Sequence, residues 1–368
     1  MLPPISSVGP DDLSRFFAAA AQPPYRAEQL RRALWRPEIT GFNAIRQFPE
    51  NLRAALTASF AFDALEVVAQ RDADAGETVK LLCRLADGQT IETVAMAYPA
   101  EQRRRRATVC VSTQVGCAVG CPFCATGQMG LRRSCTVAEV VDQVRAAARA
   151  LHARGHGPVT HVVYMGMGEP LAAYDTTVGS LRILAGQAGI SPRRITVSTS
   201  GVVPGIDRLA DEGPPVTLAI SLHAATDALR DRLVPLNRAH PLDRLVAAGM
   251  RYAERTGRRV SYEWCLIAGE NDGDEQAQAL RRLAYGAHAH VNVIPMNHVD
   301  GSPWGPPDAA VTRRFLAQLR GVRHTLRDTR GADSEAACGQ LRAGLERRRF
   351  VQADGTLSRP RRAAVATG

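Results

Sequence analysis

The sequence predicts an α/β protein built on a parallel sheet or barrel, preceded by a small helical domain and a short antiparallel β extension. Three observations carry that expectation. From position 107 onward, apolar strand-like runs alternate with helical stretches. Residues 1 to about 60 show helical spacing only. Residues 63–98 alternate or run apolar between turns such as Asp-Gly, as a meander does.

Taken in order, Tyr25-Arg-Ala-Glu-Gln-Leu-Arg-Arg-Ala-Leu-Trp35 spaces its apolar residues for one helix, and Phe48-Pro-Glu-Asn-Leu opens another after a proline. Strands of the meander are expected at 64–70, 78–85 and 89–96, with the basic run Arg103–Arg106 at its edge. The βα region should hold strands at 107–113, 159–166, 194–199, 215–222, 259–267, 289–295 and 322–327. Helices are expected between them, at 136–154, 175–188, 204–212, 226–232, 241–256, 273–287 and 308–319. Repeated βα units place functional loops at the carboxyl ends of parallel strands. The expected divisions are 1–62 (helical, with a basic face), 63–106 (meander), 107–346 (catalytic) and 347–368, a basic tail that includes Arg359.

With 45% hydrophobic and 22% charged residues in 368, the composition excludes a largely disordered or collagen-like chain. No apolar run approaches the ~20 residues of a membrane helix. The start, Met1-Leu-Pro-Pro, lacks a signal-peptide pattern, so a soluble, cytoplasmic protein is expected. The net charge of +10 favours a polyanionic partner such as nucleic acid. Yet Lys80 is the only lysine among 46 basic residues, and so strong an arginine excess also reads as codon bias.

Five of the eight cysteines fall between 110 and 135. In that cluster, Cys117-Ala-Val-Gly-Cys121-Pro-Phe-Cys124 comes directly after the first strand of the βα region. Three thiolates at this spacing can each hold one iron of a 4Fe–4S cluster, leaving the fourth iron open. That is the radical S-adenosylmethionine (SAM) pattern, in which the open iron chelates the amino and carboxylate groups of SAM. The other reading is a zinc site with Cys135 as fourth thiolate.

Further motifs extend the likeness. They are Ile91-Glu-Thr-Val94, Cys110-Val-Ser-Thr-Gln-Val-Gly-Cys117, Met165-Gly-Met-Gly-Glu-Pro170, Val197-Ser-Thr-Ser-Gly201, Leu218-Ala-Ile-Ser-Leu-His-Ala224 and Thr329–Leu341. In this order they make the chain resemble the dual-specificity RNA adenine methyltransferases of the RlmN type, to which the Cfr enzymes are close. The resemblance implies a radical SAM partial (β/α)6 barrel whose Cys117, Cys121 and Cys124 hold the 4Fe–4S cluster. It assigns SAM binding to Gly168, Glu169, Ser200, Ser221, Leu222, His223 and Asn297. It makes Cys338 the methyl-carrying thiol, Cys110 the thiol that resolves the covalent intermediate through a transient disulfide, and Glu92 the proton acceptor.

The implied reaction methylates carbon 2 of adenine, which is too electron-poor to attack a SAM methyl group directly. Cys338 takes a methyl group from one SAM, and a second yields a deoxyadenosyl radical that activates it for addition to the ring. Implied partners are 23S ribosomal RNA, a transfer RNA, and an external electron donor such as a flavodoxin system. Alternatives are a Cfr-like carbon-8 methyltransferase, a radical SAM enzyme of another class, and a zinc-type RNA-binding module. The family often has a proline after Asn297, where this chain has His298.

Overall fold

A computed structural model describes residues 2–98, 106–327 and 339–341, and the backbone of 351–352. Helices α1 (Pro10–Ala19), α2 (Tyr25–Leu34) and α3 (Glu50–Ser59) form the first unit. Their apolar stripes meet around Phe17, Leu30, Ile45, Phe48, Leu52 and Leu56, all buried. Phe16 packs edge-on against Phe17 and Phe60, the geometry that ring quadrupoles favour.

Strands β1 (Leu65–Ala73), β2 (Thr78–Leu85) and β3 (Thr90–Tyr98) form the expected antiparallel meander. The meander is continuous with the parallel region. Strand β3 pairs antiparallel with β4 (Arg106–Cys110), and β4 in turn pairs parallel with a later strand. The expected strand over 107–113 therefore stops early. Beyond Cys110 the carbonyl of Met167 accepts from both Thr113 N and Gln114 N, at 2.8 and 3.2 Å, and turns the chain away. Residues β5 (Gln114–Gly116) then pair with β6 (Leu131–Ser134) in a two-stranded ribbon, with the short helix α4 (Ala125–Gln128) between them.

A capping box at Thr136 and Glu139 starts α5 (Val137–Ala153). The remainder alternates as expected: β7 (His161–Tyr164), α6 (Tyr174–Gly186), β8 (Ile195–Thr199), α7 (Val203–Glu212), β9 (Thr217–Ser221) and α8 (Asp227–Leu233). Then come α9 (Leu242–Thr256), β10 (Val260–Leu266), α10 (Asp274–Gly286), β11 (His290–Pro295), α11 (Ala309–Gln318) and β12 (His324–Leu326). Strands β4 and β7 to β12 are parallel, and the single large sheet runs β12-β11-β10-β9-β8-β7-β4-β3-β2-β1 to β13 (Val351–Gln352). This is the open, partial barrel that the sequence implied. Among the described residues no helix is long and apolar enough to cross a membrane.

Helix α5 joins the first unit to the sheet through two buried charges. Arg145 donates to the carbonyls of Leu34 (3.0 Å) and Phe62 (2.9 Å) and to Asp142 (2.6 Å). Asp142 accepts from Ser6 Oγ (2.9 Å) and Ala64 N (2.7 Å). Burial pushes the Asp142 carboxyl up, and the arginine opposes that shift. Arg145→Met strands this carboxylate and should cost about 3–5 kcal/mol of stability. Chemical denaturation reads the loss, and hydrogen exchange should quicken across the amides of α1 to α3.

Candidate active site

The carboxyl ends of the parallel strands surround a cavity of about 170 Å³. A single water needs only ~10–15 Å³ on this measure, so there is room for a small molecule. Its wall includes Cys117, Cys121 and Cys124 together with Gly168, Glu169, Ser200, Ser221, His223 and Asn297. Of the SAM-binding residues expected from sequence, Leu222 alone is absent from this wall. Its side chain is fully buried in the main core, and only its backbone serves the site.

The cysteine loop is held by its own backbone. Cys117 N donates to Gly130 O, and Cys124 N to Cys121 O, both at 3.1 Å. Helix α4 lies so close beneath that a Cβ on Gly127 would come within 2.6 Å of Cys121 O. The same short helix holds a distant piece of chain: Ala125 N donates to Gly339 O (2.8 Å), and Thr126 Oγ1 to Leu341 O (2.7 Å). Gly339 consequently lines the cavity, while its neighbour Cys338 lies outside the described residues.

Burial pushes all three thiols up, Cys117 to about 12. Such thiols ionise only with strong positive charge beside them, as iron provides. Among the described residues no three His, Cys, Asp or Glu side chains are grouped to share one metal ion. A four-iron cluster asks for something else, three thiolates each on its own iron, which this donor set fits. Cys135 sits in the core at the start of α5, off the cavity wall, which removes the fourth ligand of the zinc reading. No described cysteine is disulfide-bonded to another described cysteine, and the transient Cys110–Cys338 disulfide that the resemblance implies involves Cys338, which lies outside the described residues.

The Met165–Pro170 loop presses onto the chain after β4. Gly168 has φ +99°, and a Cβ there would come within 2.5 Å of the Gln114 side chain. Glu169 is anchored by Gln114, which accepts from its N–H at 2.9 Å. Its carboxylate accepts from Leu171 N (3.0 Å) and Ser200 N (2.6 Å), so it sets the end of β8 as well as facing the cavity. Burial raises this carboxyl and the two amides oppose the shift.

His223 comes just after β9 with φ +59°, a conformation that is uncommon outside glycine and asparagine. Its Nδ1 accepts from Cys265 N at 2.9 Å, which leaves the proton on Nε2. Burial, helped by the Arg230 charge, pushes its pKa down to about 3, so the ring is neutral. Two residues that sequence reading passed over hold this corner. Asn271 Nδ2 donates to His223 O (2.8 Å) and Cys265 O (2.7 Å). Arg230, fully buried, donates to the carbonyls of Ser200 (2.7 Å), Ser221 (3.1 Å) and Leu222 (3.0 Å), clamping two strand ends together. Its only sequence signal is its place three residues before Leu233, on the buried side of α8.

Glu92 and Cys110 are on neighbouring strands. The register sets Val94 opposite Cys110, so Glu92, two residues back along β3, faces the same side of the sheet. Far from facing solvent, Glu92 is fully buried, and its Oε1 is 3.4 Å from Lys80 Nζ. Neither Glu92 nor Cys110 is on the cavity wall. Glu263, also missed, is on that wall, its carboxylate accepting from Ser261 Oγ and Asn292 Nδ2 at 2.8 Å each.

A partial parallel barrel with a three-cysteine loop after its first strand is the arrangement of radical SAM proteins, and the Radical SAM superfamily signature matches residues 111–280. Within that class the likeness is close. A "Probable dual-specificity RNA methyltransferase RlmN" from Moorella thermoacetica is 45% identical, over 90% of this chain and 95% of its own. A "Dual-specificity RNA methyltransferase RlmN 1" from Myxococcus xanthus is 47% identical, over 88% and 90%. The crystal structure of a radical SAM methyltransferase from Sphaerobacter thermophilus superposes with a TM-score of 0.88 at 47% identity, covering 93% of this chain and all of that one. The chain belongs to the RlmN family of dual-specificity RNA methyltransferases.

This geometry has two measurable consequences. Arg230→Gln removes the clamp on Ser200 and Ser221, and should weaken SAM binding about tenfold, or ~1.4 kcal/mol, with iron content retained. Equilibrium dialysis and iron analysis check it. The depressed His223 also predicts acid sensitivity. The unfolded chain takes up this proton near pH ~6.5 and the folded one does not, so stability falls as pH drops from there toward about 3. The slope from this group is at most ~1.4 kcal/mol per pH unit. His223→Asn, which tolerates positive φ, should flatten the acid limb of Tm against pH.

Proposed function

We propose that this methyltransferase modifies carbon 2 of adenine in 23S ribosomal RNA and in a transfer RNA, through a methylated Cys338. One observation carries the reading. Gly339, covalently next to Cys338, lines the same cavity as the strand ends read as SAM-binding, and it is tied there by the helix that comes after the cysteine loop. The cluster on Cys117, Cys121 and Cys124, with SAM bound beside it, would supply one-electron cleavage of a sulfonium C–S bond and so hydrogen abstraction.

The chain's own groups do the rest. Cys338, as thiolate, takes a methyl group by displacement at sulfonium, forming one C–S bond as another breaks. Once the S-bound carbon is joined to the ring, the adduct gives one electron to a one-electron carrier and its carbon-2 proton to Glu92. Cys110 thiolate then attacks the Cys338 sulfur. A disulfide forms, the sulfur–carbon bond breaks with its electron pair on carbon, and that carbon takes a proton to become the methyl group. An external reductant, of the flavodoxin type, reopens the disulfide.

Loop adenines suit such a site, because an unpaired base can be splayed into a pocket. The arginines of the helical unit and of Arg103–Arg106 are the proposed phosphate contacts; 103–105 lie outside the described residues. Working on these RNAs puts the protein in the cytoplasm.

Anaerobically reconstituted protein with SAM and unmodified ribosomal RNA should yield 2-methyladenosine and deoxyadenosine. Mass spectrometry of the digested RNA reads the product, and 8-methyladenosine in its place overturns the carbon-2 assignment. Normal turnover by Cys338→Ala overturns the role of that thiol.

A further inference from the structure

Lys80 is the only lysine beside 45 arginines, and it is fully buried in the middle of β2. Register sets Lys80 opposite Val94, and Val94 opposite Cys110, in one cross-strand row. Side chains so aligned share a face, which is also the face of Glu92. Lys80 Nζ and Glu92 Oε1 are 3.4 Å apart, with both side chains at most 1% exposed. An arginine is a poor substitute at such a point. Its planar fork of five donors needs room and several acceptors, whereas an ammonium is a compact charge. Every other Lys-or-Arg position of this chain carries arginine.

We propose that Lys80 is the positioning residue for Glu92. Its ammonium holds the carboxylate across the β2–β3 pair, on the sheet face that carries Cys110, where the carbon-2 proton is to be taken. In this role Lys80 acts through Glu92 and not on the substrate. The inference rests on the reading of Glu92 as proton acceptor. Taking away the ammonium leaves a buried carboxylate without its cation, turned toward whatever other donor it finds.

The uniqueness of Lys80 makes it directly observable. Holoprotein grown on lysine labelled with carbon-13 at the ε position gives a single lysine signal, with no background from other side chains. That signal should shift in Glu92→Gln, and an identical signal in the two proteins overturns the pairing. In turnover with unmodified ribosomal RNA, Lys80→Met and Glu92→Gln should both accumulate the covalent protein–RNA adduct, seen as a retarded band on a denaturing gel. Lys80→Met should slow product release at least about tenfold, up to the ~10²–10⁴ of a full general-base effect. The KM for RNA should stay within about twofold, since substrate binding is untouched. Lys80→Arg, which keeps the charge, should recover part of the rate. Folded, cluster-loaded Lys80→Met that releases product without adduct overturns the Lys80 role alone, provided Glu92→Gln stalls. Normal release by Glu92→Gln overturns the Glu92 reading, and the Lys80 inference with it. If Lys80→Met does not fold, the labelled-lysine comparison decides.

Discussion

The pairing of β3 with β4 is the constraint on which the rest of this molecule depends. Strand β4 is hydrogen-bonded antiparallel on one edge and parallel on the other, so it welds a meander to a barrel. Side chains alternate with period two, and a slip of one residue at this seam would turn every one of them to the opposite face. Glu92 and Lys80 would then leave the face of Cys110, and Thr93 would lose its 2.6 Å bond to Gln143 of α5. Gln143 also accepts from Ser112 N at 2.7 Å and donates to Ser112 O at 2.9 Å, so one buried amide fixes both sides of the seam. With its further bond to Glu139 O, this amide makes four hydrogen bonds at once, which is why its loss has no simple compensation.

Around that seam, polar groups are placed where backbone would otherwise be left without partners. Arg230, Asn271, Glu169 and Ser112 each bond main-chain atoms of loops that leave the strand ends. Ser112 Oγ serves two segments at once: it donates to Glu92 O at 2.6 Å and accepts from Met167 N at 2.9 Å, linking the meander to the glycine loop. The loops that form the cavity wall are thus tied to one another and to the strands through buried hydrogen bonds.

How much of this could be read beforehand depended on the range of the interactions. The cysteine triplet and the glycine loop were legible, because their chemistry is local and their spacing is tight. The alternation of strands and helices was legible for the same reason, since each period is complete within about a dozen residues. The early end of β4 was not. It is imposed by Met167 O, more than fifty residues on. Arg230 reads as an ordinary helix arginine until Ser200 O, thirty residues back, comes within reach. Lys80 was noticed only as a count, and Glu92 only as the proton acceptor that the resemblance implies. Neither count nor period could pair them, because the partner is defined by a register that only the folded sheet supplies.

The bonds from Ala125 and Thr126 to Gly339 and Leu341 have a thermodynamic consequence. Two segments more than two hundred residues apart share one free energy of ordering. Whatever stiffens the loop of Cys117, Cys121 and Cys124 must by the same amount favour the docked chain beside Cys338, and the docked chain must favour the loop in return. Under the proposed roles, the thiol that would accept the methyl group and the loop that would hold the cluster are in this sense one cooperative element. On that reading, the state this coupling disfavours is one with the cysteine loop ordered and the segment beside Cys338 undocked.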